Sequence, residues 1–293
     1  MKILVVGHRA MLAQELIPSL RHAGFDTVGR GRPELDITQV ASVRAVLEEG
    51  RPDILINSAA YTAVDRAESE PATAFAVNRD GVALLARACH ERGTPLVHIS
   101  TDYVFDGTMP WPYREDDPTA PLGVYGTSKW EGEEALRLYH SQHLIVRTAW
   151  LYGVHGANFV NTMLRLDRER QVLRVVHDQH GCPTWTRELA GALTVICQHL
   201  QAERDPSWWG TYHCCGAGQT TWYGFACAIF EDIQPPASWM IQRIEPIPTM
   251  AYPTPARRPA NSVLDCRKIQ SIFGLTPRPW RDNLHDCLQE LPL

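Results

Sequence analysis

The first half of this 293-residue sequence predicts an α/β fold built on a doubly wound, parallel sheet. Short apolar segments rich in β-branched residues alternate there with amphipathic helical segments, which is the pattern of strands joined by crossover helices. Hydrophobic residues make up 44% of the chain and charged residues 21%, as in an ordinary globular enzyme. Because right-handed crossovers place helices on both faces of such a sheet, its strands should be apolar and buried.

The predicted elements follow one another in a regular order, and each of the first four predicted strands is followed by a helical segment. The strands are, in order, "ILVVG" (3–7), "FDTVG" (25–29), "DILINSAA" (53–60), "PLVHISTDYVF" (95–105) and "HLIVRTAWLYG" (143–153). The helices cover 11–22, 42–49, 68–93 and 125–139.

The first strand turns through Gly7 into the first helix, which is typical of a phosphate-binding turn. A G-x-x-G-x-x-G pattern would place two more glycines where this sequence has Ala10 and Ala13. Alanine is allowed at the third position of dinucleotide fingerprints. The Ala10 methyl group is a larger departure, because it lies where backbone and pyrophosphate come closest. Right-handed helical dihedrals at Ala10 would avoid backbone strain, so we expect a working cofactor site that this methyl group weakens only by crowding.

A polar strand end and a Tyr–Lys pair predict where the chemistry takes place. Ligands of open parallel sheets bind beyond the carboxyl ends of the strands, and the fourth strand ends in Ser100, Thr101 and Asp102. The next helix carries Tyr125 and Lys129 at i and i+4, on one face. A neighbouring ammonium group lowers the pKa of a tyrosine from about 10 toward neutrality. An isolated Y-x-x-x-K is more often a pair of surface residues, but this context favours an acid–base site.

The regular alternation ends beyond about Gly181. Prolines punctuate the short segments that follow: Pro235, Pro236, Pro246, Pro248, Pro253, Pro255, Pro259, Pro277 and Pro279. We therefore predict a Rossmann-type dinucleotide-binding domain over residues 1–180 and a smaller, irregular lobe, mainly for substrate, over residues 181–293. The boundary is approximate, and the chain can cross between the two parts.

Charge and cysteine content disfavour several classes of function. The net charge is −5 and no dense Lys/Arg run appears, which argues against a nucleic-acid surface. No apolar stretch reaches the length of a membrane span, and no signal-peptide pattern precedes the first strand. The eight cysteines include no C-x-x-C pair, so we expect reduced thiols in a cytoplasmic protein.

Eight sequence blocks, in order and at family spacing, resemble one enzyme family. They are "LDIT" (35–38), "NSAAYTAVDRAESEPATAFAVN" (57–78), "HISTDYVFDG" (98–107), "PYREDDPTAPLGVYGTSKWEGE" (112–133), "VRTAWLYG" (146–153), "NFVNTMLRL" (158–166), "VVHDQHGCPTWTRELA" (175–190) and "RRPANSVLDCRKI" (257–269). With these residues the chain resembles the extended short-chain dehydrogenase/reductases, and within them the dTDP-4-dehydrorhamnose reductase family.

The resemblance implies reduction of a sugar ketone. NADPH or NADH would deliver hydride to C4 of dTDP-4-dehydro-β-L-rhamnose, giving dTDP-β-L-rhamnose. Tyr125 would donate the proton, Lys129 would bind the nicotinamide ribose, and Thr101 would hydrogen-bond the carbonyl oxygen. The other implied substrate contacts are Asp102, Tyr103 and Trp150. Related dehydratases carry a glutamate where Tyr103 stands, so simple reduction is favoured over loss of water.

The resemblance also implies which residues contact the cofactor. Besides Tyr125 and Lys129 they are Gly7, Ala10, Met11, Leu12, Asp36, Ile37, Ala59, Ala60 and Tyr61, with Asp36 and Ile37 near the adenine.

The arginines near the second strand predict NADPH rather than NADH as the preferred cofactor. An acidic residue after that strand usually holds the ribose of NAD, whereas an arginine accommodates a 2′-phosphate. Here Arg30 and Arg32 follow the strand, and Glu34 is the first acidic residue. Arg9 in the first turn could reach the same phosphate, and guanidinium groups donate paired hydrogen bonds to phosphate oxygens. We expect these three arginines to converge on one corner with no carboxylate opposing them.

Two alternative functions stay open. The chain could reduce another dTDP-4-keto-deoxysugar of secondary metabolism, or it could be a non-catalytic regulatory homologue resembling the β subunit of methionine adenosyltransferase. The Thr101, Tyr125 and Lys129 set favours an enzyme. Monomer and homodimer are both compatible with the sequence. No metal ligand set is predicted, although Glu15 lies on a helix where relatives use a divalent cation at a subunit contact, so Mg²⁺ stays open.

Overall fold

The computed structural model describes residues 1–233 and 240–291. Its strands are β1 (Lys2–Val6), β2 (Asp26–Arg30), β3 (Ile54–Asn57), β4 (Leu96–Thr101), β5 (His143–Thr148), β6 (Leu151–Tyr152), β7 (Val172–Val176), β8 (His180–Gly181), β9 (Thr184–Trp185), β10 (Gly210–His213), β11 (Thr220–Thr221) and β12 (Arg243–Ile247). Its α-helices are α1 (Met11–His22), α2 (Val40–Gly50), α3 (Val64–Ala67), α4 (Pro71–Phe75), α5 (Gly81–Arg92), α6 (Val124–Tyr139), α7 (Phe159–Asp167), α8 (Thr186–Ala202), α9 (Trp222–Asp232), α10 (Arg267–Phe273) and α11 (Trp280–Gln289). A π-helical turn, Ala76–Asp80, joins α4 to α5.

Six strands form one parallel sheet in the order β10-β5-β4-β3-β1-β2. One hydrophobic cluster packs α1 and α8 against one face of this sheet, and a second packs α2 and α5 against the other. The residues of β3 and β5 are buried along their whole length, as strands covered on both faces must be. The predicted doubly wound α/β fold is therefore confirmed.

Three predicted strands run beyond the ends that the structure gives them, and one strand was not predicted. The third strand ends at Asn57 and not at Ala60. The fourth strand ends at Thr101, because residues 102–104 form a 3₁₀ turn capped by the Thr101 hydroxyl. The fifth ends at Thr148, and the chain turns at Trp150, whose φ of +47° is in the left-handed region, before it enters β6 in another sheet. The sixth strand, β10, was not predicted from the sequence. Its four residues are identified as a strand only by their pairing with β5.

The second lobe is built on a third hydrophobic cluster, to which α7, α9 and α11 contribute. The predicted boundary near residue 180 is crossed in both directions, since α8 and β10 pack with the sheet whereas β6 and α7 belong to the second lobe. Pro235 and Pro236, two of the prolines that predicted an irregular lobe, lie outside the described residues. Across 1–233 and 240–291, no helix is long and apolar enough to cross a membrane.

A buried ionic network fixes α6, the helix that carries Tyr125 and Lys129. Arg147 on β5 donates to both carboxylate oxygens of Glu133 on α6, with Nη2 to Oε2 at 2.7 Å and Nε to Oε1 at 3.0 Å. Ser100 on β4 donates to the same carboxylate at 2.5 Å. Gly132 permits close approach, because a Cβ there would lie 2.0 Å from the Asn78 carbonyl oxygen. The position of α6 over the sheet is thereby set by residues below the reactive pair.

Candidate active site

A cleft of about 1040 Å³ lies beyond the carboxyl ends of β1, β3, β4 and β5. The strand order reverses between β1 and β3, which is where ligands of open sheets bind. Most of the predicted site residues line this cleft: Gly7, Arg9, Ala10, Met11, Leu12, Asp36, Ile37, Ala59, Ala60, Tyr61, Thr101, Asp102, Tyr125, Lys129 and Trp150. Of the described residues, Arg30 and Tyr103 were predicted in the site but are not part of this wall.

The turn after β1 has the shape of a phosphate-binding turn. Gly7 has a φ of +81°, and a Cβ there would lie 2.8 Å from the Ala59 nitrogen, so only glycine fits. Ala10 is extended, with φ −63° and ψ 146°, so it does not have right-handed helical dihedrals. Its negative φ still imposes no backbone strain. The first hydrogen bond of α1 runs from Gln14 N–H to the Ala10 carbonyl. The N–H groups before it in the first turn are therefore available to an anion.

The corner beside β2 differs from the prediction. Arg30 folds back so that Nη1 donates to the Gly29 carbonyl at 3.2 Å, whereas Arg32 and Arg9 line the cleft. The expectation that no carboxylate opposes the arginines is wrong, because Arg32 Nε lies 3.6 Å from Asp36 Oδ2. Asp36 also accepts hydrogen bonds from the Thr38 hydroxyl and N–H, and the hydroxyl is the main cause of its lowered pKa. Arg32 is 80% exposed and its ion pair is therefore weak.

Tyr125, Thr101 and Asp102 meet where β4 ends below α6. The Thr101 hydroxyl donates to Asp102 Oδ1 at 2.9 Å and accepts from the Tyr103 N–H at 3.2 Å. Burial raises the pKa of Tyr125 to about 12, although its interaction with Thr101 opposes this. Burial also raises the pKa of Asp102 to about 6. The phenol of Tyr125 is therefore protonated at neutral pH, which is the state that a proton donor needs.

Lys129 lies one helical turn beyond Tyr125 and is almost fully buried. Its Nζ donates to the Ile99 carbonyl at 2.7 Å and lies 3.3 Å from Nε2 of His98. Burial lowers the pKa of Lys129 to about 8, against the opposing effect of Glu133. The amine can therefore change its charge close to physiological pH.

Trp150 lies on the cleft wall and packs against the second lobe, whereas Tyr103 lies beside the cleft. The Tyr103 ring meets the Tyr125 ring edge to face, with centroids 5.8 Å apart, and both line a small adjoining cavity. Trp150 stacks on Trp222 with ring centroids 3.5 Å apart and planes 6° apart. A Cβ on residue 181 would lie 2.3 Å from the Trp150 ring, so Gly181 leaves room for this ring. The left-handed backbone conformation at Trp150 is therefore stabilised by the packing of its side chain against Trp222 and Gly181.

Two buried polar residues at this site were not predicted to take part. Asn57 ends β3 and His98 lies inside β4, and the structure joins them to Lys129. The available signal was a histidine within an otherwise apolar strand segment, "PLVHIS". Trp222 had no such signal, because 72 residues separate it from Trp150.

Glu15 does not present a metal-binding arrangement. Its Oε2 accepts from Arg187 Nε at 3.1 Å, and His155 Nε2 lies 3.4 Å from its Oε1. Arg187 also pairs with Glu290. Over residues 1–233 and 240–291, no group of three or more His, Cys, Asp or Glu side chains could hold a metal ion. The negative charge of Glu15 is already matched by a guanidinium group.

Comparison with known sequences identifies close relatives over the full chain. A family model described as "RmlD substrate binding domain" matches residues 1–292. The dTDP-4-dehydrorhamnose reductase of Burkholderia thailandensis is 43% identical over 296 residues, which cover 99% of each chain. The Escherichia coli protein of the same name is 43% identical over 257 residues, covering 87% of this chain and 85% of its own.

Solved structures of similar proteins share the fold closely. The dTDP-4-dehydrorhamnose reductase of Clostridium acetobutylicum superposes with a TM-score of 0.90 at 37% identity, covering 99% of both chains. That of Bacillus anthracis, solved in complex with NADP, gives 0.89 at 36% identity with the same coverage. A UDP-glucose 4-epimerase of Thermus thermophilus, solved with NAD, gives 0.79 at 20% identity and covers 99% of this chain and 98% of its own. This last likeness shows the shared fold alone.

Proposed function

The chain belongs to the dTDP-4-dehydrorhamnose reductase family, and from this premise we propose how its cleft carries out the reaction. The protein is an NADP-dependent oxidoreductase that reduces the C4 ketone of a dTDP-4-keto-6-deoxy sugar. The substrate that fits the family is dTDP-4-dehydro-β-L-rhamnose, and the product is dTDP-β-L-rhamnose. The observation that most strongly supports this function is that Thr101, Tyr125 and Lys129 line the same cleft as the Gly7 turn, whose shape suits a dinucleotide.

The cleft residues fit a dinucleotide. Gly7 and Ala59 approach too closely for any side chain on residue 7, which leaves the turn open to a pyrophosphate beside the first N–H groups of α1. Asp36 and Ile37 would flank the adenosine, Ala60 and Tyr61 would lie along the cofactor, and Lys129 would hold the nicotinamide ribose. When bound, NADPH supplies the hydride.

Tyr125 supplies the proton in this proposal. Its raised pKa keeps the phenol protonated until the ketone oxygen begins to take negative charge. Thr101 would hydrogen-bond the same oxygen, and an ammonium form of Lys129 would stabilise the phenolate that results. Trp150, fixed by its stacking on Trp222, would form an apolar wall against the sugar. Asp102 would line the sugar site beside Thr101, and Tyr103 would border it from the small adjoining cavity.

The direct test is turnover with defined substrates. Purified protein is mixed with dTDP-4-dehydro-β-L-rhamnose and NADPH, loss of NADPH is followed by fluorescence, and the sugar product is identified by NMR. We expect one product per NADPH, with the configuration of L-rhamnose at C4. Turnover only with a different dTDP-4-keto sugar would support the secondary-metabolite alternative. Tight binding to a partner enzyme without turnover would support the regulatory alternative.

Cofactor choice is expected to depend on Arg32 and not on Arg30. Arg32 lines the cleft, so Arg32→Ala should raise the KM for NADPH about tenfold and leave the KM for NADH unchanged, since only NADPH carries the 2′-phosphate. Arg30→Ala is the matched control, because Arg30 bonds to the Gly29 carbonyl instead. Steady-state kinetics of both variants with both cofactors provide the measurement. Equal efficiency of the unchanged protein with NADH and NADPH would contradict the preference for NADPH.

We propose that Glu15 takes no divalent cation in this chain, because Arg187 already neutralises it. Incubation with EDTA followed by desalting should leave kcat and both KM values unchanged. The kinetic assay before and after chelation checks this. A loss of activity that Mg²⁺ restores would contradict the proposal.

A further inference from the structure

Three buried polar side chains form a chain of contacts beneath the cleft. Asn57 ends β3, His98 lies on the neighbouring strand β4, and Lys129 lies on α6 above them. Asn57 Nδ2 lies 3.1 Å from His98 Nδ1, and His98 Nε2 lies 3.3 Å from Lys129 Nζ. All three are at most 2% exposed. The partners that the structure gives them are one another and the backbone.

The backbone fixes the direction of these hydrogen bonds. The Ala59 N–H donates to Asn57 Oδ1 at 3.1 Å, so the amide NH₂ of Asn57 is the group that faces His98. An NH₂ group donates, which means that His98 Nδ1 must accept and carries no proton. In a neutral imidazole the proton is then on Nε2. The side chain of His98 therefore presents a donor to Lys129.

The Nε2–H group of His98 favours a neutral amine on Lys129 and disfavours an ammonium group. Lys129 already donates one N–H to the Ile99 carbonyl. A neutral Nζ has a lone pair that can accept the His98 Nε2–H, whereas an ammonium group has none. Burial keeps His98 itself neutral by lowering its pKa well below the ordinary value, and Lys129 and His143 on β5 act in the same direction.

Other charged groups around Lys129 do not remove this preference. Burial lowers the pKa of Lys129 to about 8, and Glu133 on α6 opposes burial. Glu133 is itself bonded by Arg147 and Arg137, which reduces its effect on Lys129. On the cleft side, Tyr125 is a neutral phenol at neutral pH.

We propose that Asn57 and His98 are positioning residues that stabilise Lys129 as a neutral amine, the form left after Lys129 returns a proton to Tyr125. In this step Tyr125 has already given its proton to the sugar oxygen. The Nζ–H bond of the ammonium group breaks, the Tyr125 O–H bond forms again, and the electron pair left on Nζ accepts the His98 Nε2–H. Lys129 then regains a proton from solvent before the next turnover. The inference rests on the proposed function, because the phenolate arises only in that reaction.

The charge of Lys129 can be measured directly, because the chain has three lysines: Lys2, Lys129 and Lys268. Protein labelled with ¹³C at lysine Cε should give three resonances, and Lys129→Arg identifies that of Lys129 by its loss. We expect the Lys129 resonance to titrate near pH 8, well below the ordinary lysine value of about 10.4. A ¹⁵N spectrum of the histidines should show His98 as the neutral Nε2–H tautomer, with His98→Gln for assignment.

The Asn57→Asp variant tests the chain of contacts from Asn57 through His98 to Lys129 without changing Lys129 itself. The carboxylate keeps the bond from Ala59 but accepts from His98 Nδ1–H, so the ring changes tautomer and Nε2 becomes an acceptor for the ammonium group. The midpoint of the Lys129 titration should rise by about one pH unit or more. The pH at which kcat/KM falls on the alkaline side should rise with it. His98→Gln, which offers a neutral carbonyl oxygen to Nζ, should shift both in the same direction without adding charge.

Several results would overturn the proposal. They are a Lys129 midpoint near 10.4, an Nδ1–H tautomer of His98 in the unchanged protein, or a folded Asn57→Asp variant with an unshifted midpoint. The first two are read on the unchanged protein, and the variants serve there only to assign the resonances. The spectra are recorded without substrate, so absence of turnover would refute the proposed function while the titration is judged separately.

Discussion

The Tyr125→Phe variant is expected to lose about 10²–10⁴-fold in kcat, while its affinity for NADPH stays close to that of the unchanged protein. Only the phenolic O–H is removed, and with it the proton that reaches the ketone oxygen. The ring and its edge contact with Tyr103 at 5.8 Å are preserved, so the cleft keeps its shape. Single-turnover kinetics give the chemical step, and calorimetry with NADPH gives the affinity.

Tyr103→Phe is the matched control for this loss. It also removes one phenolic hydroxyl, from the ring that lies against Tyr125 in the adjoining cavity. We expect it to change the KM for the sugar more than kcat. A Tyr125→Phe variant that keeps most of the turnover would remove Tyr125 from the mechanism, and equal losses of kcat in both variants would assign the effect to cavity shape.

The Arg147→Met variant is expected to lose about 3–5 kcal/mol of unfolding free energy. Glu133 and Arg147 are 0% and 2% exposed, and removal of the arginine leaves a buried carboxylate without its main partner. Burial raises the pKa of Glu133, but Arg147 and Arg137 outweigh burial and hold that pKa below its ordinary value. The pair therefore stabilises the fold above the unfolded-state pKa of about 4.3, and this contribution is lost as the pH falls. Equilibrium unfolding in guanidinium chloride at neutral pH measures the difference.

Two variants make this measurement specific to the buried pair. Arg137→Met removes a guanidinium group that bonds the same carboxylate but is 31% exposed, so its cost should be much smaller. The double variant Glu133→Gln/Arg147→Met removes the buried charge along with its partner and should recover part of the stability. Equal losses in Arg147→Met and Arg137→Met would show that burial does not decide the cost.

Much of the site was predictable because it depends on local sequence. The strand–Gly7–helix turn depends on a few adjacent residues, and the i, i+4 spacing places Tyr125 and Lys129 on one face of any helix. Buried parallel strands read as apolar runs, so β1, β3 and the start of β4 were identified without tertiary information. The order of the family blocks then assigned the reaction.

The sequence by itself determined the doubly wound sheet, the edge at which ligands bind and the reactive Tyr–Lys pair, since each follows from local pattern. Only the tertiary structure decided that β10 completes the sheet, that Arg32 and not Arg30 lines the cleft, and that His98 faces Lys129. Such facts depend on contacts between residues far apart in the chain. The contact of His98 with Asn57 is the strongest case. The Ala59 N–H, just beyond β3, orients the Asn57 amide, and this amide faces the His98 ring on the next strand. Our proposal for the charge of Lys129 depends on that orientation.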